Sequence, residues 1–79
     1  MSVDEALKWI ADLFEFPFSQ ITVETPRDQI ETWDSLGMLT LMAKLDSEFS
    51  ILLSEDEIVN FKSVKNIIEV FKRHGKLVE

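Results

Sequence analysis

Four times along this chain a helix-capping residue is followed by apolar residues three or four apart, and no stretch alternates apolar and polar residues as a strand would. Ser2 precedes Glu5 by three residues, the spacing of a capping box, in which each side chain satisfies an orphan N–H at the helix start. Leu7, Ile10, Ala11 and Phe14 then build one apolar face, and Pro17 forces the stop because it drives Phe16 out of the helical region. Asp34 is a strong N-cap for a second helix beginning at Asp34 or Ser35. In that helix Leu36, Leu39, Ala43 and Phe49 can face inward, with Met38, Leu41, Met42 and Leu45 widening the face. Ser54 and Glu57 form another capping-box pair, opening a short helix that Phe61 or Lys62 should end. Ser63 caps the last helix, where Val64, Ile67, Ile68 and Phe71 repeat at helical spacing. Gly75 can close it in the left-handed conformation after the basic residues Lys72, Arg73 and His74. Ile51-Leu52-Leu53 is too short for a strand of any consequence. The expected class is all-α, a four-helix bundle whose third helix is short and whose longest connection joins the first and second helices.

That connection, from Phe16 to Trp33, is longer than most loops in small domains, and Phe18, Ile21, Val23, Ile30 and Trp33 are apolar enough to pin it to the core. Gly37, in the first turn of the second helix, runs against helix propensity by about 1 kcal/mol relative to Ala and suggests open space beside Ser35. With 79 residues the chain is one domain with one small core. It has no cysteine, which excludes a disulfide framework, a thiol nucleophile and a thiolate metal site. Nothing at the N-terminus reads as a signal peptide and no apolar run approaches bilayer length, so a soluble, cytoplasmic monomer is expected.

Charge narrows the function. The formal net charge is −7, and up to Phe61 there are 13 acidic against 3 basic residues, whereas from Lys62 onward there are 2 acidic and 5 basic. An acidic body opposes nucleic-acid binding, which needs phosphate neutralisation, and favours partners with basic surfaces. Glu55-Asp56-Glu57 lacks the alternating oxygen ligands and glycine of a calcium loop, so no metal is expected. A Ser-His-Asp triad would have to join Ser35 to His74, and no elbow or oxyanion motif accompanies them. The chain does not read as an enzyme.

The stretch Trp33-Asp34-Ser35-Leu36-Gly37, followed by a helix that closes on Leu45-Asp46-Ser47-Glu48-Phe49, resembles the prosthetic-group attachment site of acyl carrier proteins. The likeness extends in order and length over essentially the whole chain: an upstream helix, a long loop with Thr25-Pro26, Asp-Ser-Leu at a helix start, a capped short helix, and Ser63-Val64 opening the last one. The resemblance implies an acyl-carrier-type bundle with 4′-phosphopantetheine attached covalently to Ser35. It also implies recognition of Asp34 and Leu36 by a phosphopantetheinyl transferase, and presentation of an acyl or aminoacyl thioester to loading and processing enzymes.

It further implies a docking face on the second helix, for which Met38 and Glu48 are candidates, with Glu55, Asp56 and Glu57 taking over part of that task. Thr40, Asp46, Ser47 and Glu48 make that face less acidic than is usual in such carriers. Trp33 and Gly37 also depart from the fatty-acid pattern, and Trp-Asp-Ser-Leu looks more like stand-alone carriers of polysaccharide, polyketide or aminoacyl chemistry. A second reading is an acidic helical interaction module with a carrier-like fold and no prosthetic group; a third, a small helical enzyme or regulator, lacks paired catalytic groups.

Overall fold

The structure is a computed structural model and describes residues 1–78. Among these it contains four α-helices and no strand: α1 (Val3–Phe14), α2 (Ser35–Phe49), α3 (Glu55–Val59) and α4 (Val64–Arg73). Single 3₁₀ turns, Phe18–Gln20 and Arg27–Gln29, lie in the α1–α2 connection. No helix of the described residues is long and apolar enough to cross a membrane.

The capping signals set the helix starts. In α1 the Glu5 amide donates to Ser2 Oγ at 3.1 Å and the Ser2 amide donates to Glu5 Oε1 at 2.9 Å. The same reciprocal pair forms between Ser54 and Glu57 at the head of α3. At α4 the amides of Lys62 and Ser63 both donate to Asn66 Oδ1, at 2.9 and 3.0 Å.

Two helix ends are less conventional. Both α1 and α2 close through a left-handed residue that is not glycine, Glu15 (φ 54°) and Ser50 (φ 56°). The following amides fold back to the helix, Phe16 to the Ala11 carbonyl at 2.9 Å and Ile51 to the Leu45 carbonyl at 3.1 Å. The α4 end uses Gly75 at φ 70°, as its sequence position suggests. Helix α3 stops at Val59, before Phe61, which turns into the core instead.

α1 packs against α2 and α4. Ile10, Leu41, Leu45, Ile51, Ile67, Val70 and Phe71 are fully enclosed, and each large side chain so buried contributes about 1.5–3 kcal/mol. Trp9, Phe49 and Phe71 form a triangle of edge-to-face rings with centroids 5.0–5.5 Å apart. Phe14 stacks on Trp33 at 5.2 Å, and Phe61 meets the edge of Trp33 at 6.4 Å.

The inward face of α2 differs from the expected one. Leu36, Leu39 and Ala43 are exposed, and the helix buries Met38, Leu41 and Leu45, with Met42 and Phe49 half-buried. Apolar residues run almost all the way round this helix, so periodicity alone does not select a face; the contacts of α1 and α4 do.

The long connection is held as a rigid strap. Ile21, Ile30 and Trp33 are buried, while Phe18, expected to pin the loop, is 52% exposed. Buried Thr25 accepts the Thr22 amide on Oγ1 at 2.9 Å, and its carbonyl accepts the Val64 amide at 2.9 Å. The Arg27 amide donates to the Lys62 carbonyl at 2.9 Å, and these bonds flank an isolated antiparallel bridge between Pro26 and Ser63. Thr32 Oγ1 donates to the Phe14 carbonyl at 2.7 Å, tying the end of the strap to α1. Each satisfied buried bond contributes about 0.5–1.5 kcal/mol, and together they fix where α2 begins.

Candidate functional site

Ser35 is the first residue of a 15-residue helix and is exposed. Asp34, in extended backbone, closes the helix start: Oδ1 accepts the Gly37 amide at 2.9 Å and the carbonyl accepts the Met38 amide at 2.8 Å. The Ser35 hydroxyl makes no hydrogen bond to the described chain and is open to solvent. The positive end of the α2 dipole lies beside it, an environment that favours negative charge. A second Asp-Ser pair, Asp46-Ser47, lies inside the same helix, where backbone amides are already used by helical bonds and Ser47 Oγ turns back to the Lys44 carbonyl at 3.5 Å. Helix position separates the two serines, although their preceding residue is the same.

Gly37 corrects the expectation of open space. A Cβ built there would run into the Thr32 carbonyl oxygen and would sit 3.5 Å from the Phe14 ring. The strap therefore crosses directly over the first turn of α2, and glycine is required by close approach of backbone to backbone. A shallow cleft of about 240 Å³ remains next to it, lined by Leu13, Phe14, Thr32, Asp34, Leu36 and Thr40 as well as Gly37.

The predicted docking residues divide into two groups. Leu36, expected at the recognition surface, is 71% exposed, and Leu39, expected to face inward, joins it at 62%. At 3.6 residues per turn, Ser35, Leu39 and Asp46 lie in one row of α2 with Leu36 and Ala43 beside it. Glu55 and Asp56 are exposed at the head of α3. The other candidates pack or bond within the chain, Glu48 while still exposed. Met38 is buried at 6% exposure and offers no contact surface, because it faces the core with Leu41 and Leu45. Glu48 shares the opposite flank of α2 with Gly37 and Lys44; it accepts the Trp9 indole N–H at 3.1 Å and lies 3.8 Å from Lys44 Nζ. Glu57 Oε1 caps α3, and Oε2 accepts from Arg73 at 2.8 Å, with His74 Nε2 at 4.0 Å. The Ser54 amide, and after it the Arg73 guanidinium, hold the Glu57 carboxyl below its ordinary value.

Sequence reasoning missed Arg27. Its Nε donates to the Trp33 carbonyl at 2.9 Å and its guanidinium carbon lies 5.6 Å from the centre of the Trp33 ring. Trp33 is thus clamped between Phe14 and Arg27, two residues before Ser35. Its indole N–H is buried without a partner, which costs about 1–3 kcal/mol. The pairing of an arginine with an aromatic six residues on is the only local signal that could have pointed to this clamp. Among the described residues no group of three His, Asp or Glu side chains is placed to hold a metal ion.

Comparison with known proteins adds no assignment: no family model, no curated protein and no solved structure matches this chain.

Proposed function

We propose that this chain is a carrier protein of the acyl-carrier type, bearing 4′-phosphopantetheine on Ser35 and delivering an acyl or aminoacyl group to partner enzymes. The observation that carries this reading is the exposed, unbonded Ser35 hydroxyl at the head of α2, with Asp34 capping the helix and Leu36 projecting beside it. The residues present fit the prosthetic group. Its phosphodiester would lie at the helix N-terminus, where dipole and amides favour an anion. When bound, it supplies the thiol that the cysteine-free chain lacks, and with it a thioester. Ser35 is in this account a substrate of a phosphopantetheinyl transferase, and the chain's own side chains activate nothing.

Partners dock, on this reading, through the Ser35–Leu39–Asp46 flank of α2 together with Leu36 and the exposed Glu55 and Asp56. Apolar leucines set among carboxylates suit an enzyme surface that presents Arg or Lys around an apolar patch. The test is intact mass after incubation with coenzyme A and a broad-specificity transferase: a gain of one phosphopantetheine per chain is expected. A folded chain that stays unmodified with several transferases would be an interaction module instead, using the same leucine-bearing surface without a prosthetic group.

A further inference from the structure

The largest cleft among those described, about 550 Å³, lies between the strap and the α3–α4 junction. Pro26, Trp33, Val59 and Phe61 give it apolar walls, and Arg27, Asp28 and Lys62 line it as well. In a chain of net charge −7 this is an unusual place for two cations. The backbone bond from the Arg27 amide to the Lys62 carbonyl holds the two residues side by side. Neither enters an ion pair among the described residues, Asp28 included. Arg27 cannot swing away without breaking its Nε bond to the Trp33 carbonyl, so its remaining N–H donors stay at the cleft.

Arg27 and Lys62 both line the cleft, and an anion bound there gains charge-assisted hydrogen bonds from the two, against the repulsion of Asp28 on the same lining. The apolar walls add burial for a short aliphatic segment. Trp33 forms part of the cleft and lies within about 7 Å of Ser35 along the chain, measured between Cα atoms. An arm attached at Ser35 starts two residues along the chain from this wall of the cleft.

Resting on the carrier reading, we propose that the cleft between Arg27 and Lys62 is a cargo subsite for an acyl group that ends in a carboxylate. The short apolar part of the cargo lies against Val59 and Phe61, and the carboxylate meets the guanidinium and the ammonium.

The experiment compares ¹⁵N-labelled protein charged from succinyl-coenzyme A with protein charged from butyryl-coenzyme A, two acyl groups of equal carbon count that differ in the terminal carboxylate. The readouts are intact mass and the shifts of the Trp33 indole, the Arg27 Nε–H and the backbone amides of Arg27 and Lys62. Succinyl-loaded protein is expected to shift these resonances relative to butyryl-loaded protein, and added salt to reverse the difference. Lys62→Gln, at an exposed position, is expected to lose most of that difference while remaining folded; Arg27→Gln should abolish it, with the Lys62 variant deciding if the strap loosens. Equal spectra for the two cargoes, with full loading shown by mass, would overturn the subsite and leave the carrier reading intact. A chain that takes up no arm would overturn both.

Discussion

Replacing Gly37 with Ala places a methyl group where the Thr32 carbonyl oxygen now lies. In an exposed helix this substitution would stabilise by about 1 kcal/mol, because Ala has the higher helix propensity. Here the obstacle is backbone, and that backbone is held by the Thr32 bond to the Phe14 carbonyl and by the Trp33 amide bond to the Ile30 carbonyl at 3.0 Å. Overpacking of this kind costs about 1–3 kcal/mol, and an obstacle that cannot rotate aside puts the cost near or above the upper end. The net expectation is a loss of about 2 kcal/mol or more, or a Tm lower by at least about 8–16 °C for a domain of this size. Urea unfolding followed by tryptophan fluorescence measures it, and Trp33 beside the collision makes the probe local. Since the strap also sets the start of α2, Gly37→Ala should slow modification of Ser35 under native conditions. A variant as stable as the parent or more so would refute the close approach and restore the simple propensity argument.

Further perturbations test other parts of the account. Ser50→Gly should stabilise by about 0.5–1 kcal/mol, since it relieves a left-handed non-glycine residue at the end of α2 and glycine's greater unfolded-state freedom offsets only part of the gain; chemical denaturation reads it. Glu57→Ala removes one half of a capping box and the Arg73 pair and should cost about 0.3–1.5 kcal/mol at neutral pH. The folded-state pKa of Glu57 lies below 4.5, so this stabilisation is complete above that pH and lost as pH falls through the lower folded value; the gap between variant and parent in thermal melts should narrow there. Asp46→Lys with Asp56→Lys should slow loading by a partner enzyme and blunt its salt dependence, whereas Glu48→Lys, on the flank facing Trp9, should act mainly on stability. Charging the arm with progressively longer saturated chains should leave Tm nearly constant, because six aromatic rings already fill the core that such a chain would have to enter.

The helix starts were legible because capping is local: Ser2 with Glu5, Asp34, and Ser54 with Glu57 carry their bonds within three residues. The ends of α1 and α2 were less so, since Glu15 and Ser50 adopt a conformation that sequence reading reserves for glycine, and only the packed continuation of the chain holds them there. The face of α2 was misjudged for a different reason. Leu36, Met38, Leu39, Leu41, Met42, Ala43 and Leu45 offer more than one apolar stripe, and the choice among them is made by α1 and α4 rather than by period. Asp34, Ser35 and Leu36 could be placed at an exposed helix head from adjacent residues alone. Met38 and Glu57 could not be sorted from open surface positions without knowing that the core and Arg73 claim them, and the bond from Trp9 to the exposed Glu48 had no local trace either. The cleft between Arg27 and Lys62 had no local trace, because the Pro26–Ser63 bridge brings together segments far apart in the chain.

The most direct measurement of the central claim is peptide-mapped intact mass of three proteins, the parent, Ser35→Ala and Ser47→Ala, each incubated with coenzyme A and a transferase. The parent and Ser47→Ala should each gain one phosphopantetheine on the peptide that contains Ser35, and Ser35→Ala should gain none while keeping its stability to within about 0.5 kcal/mol. A modification that persists in Ser35→Ala, or a folded parent that accepts none, would contradict the claim that the head of α2 is the attachment site.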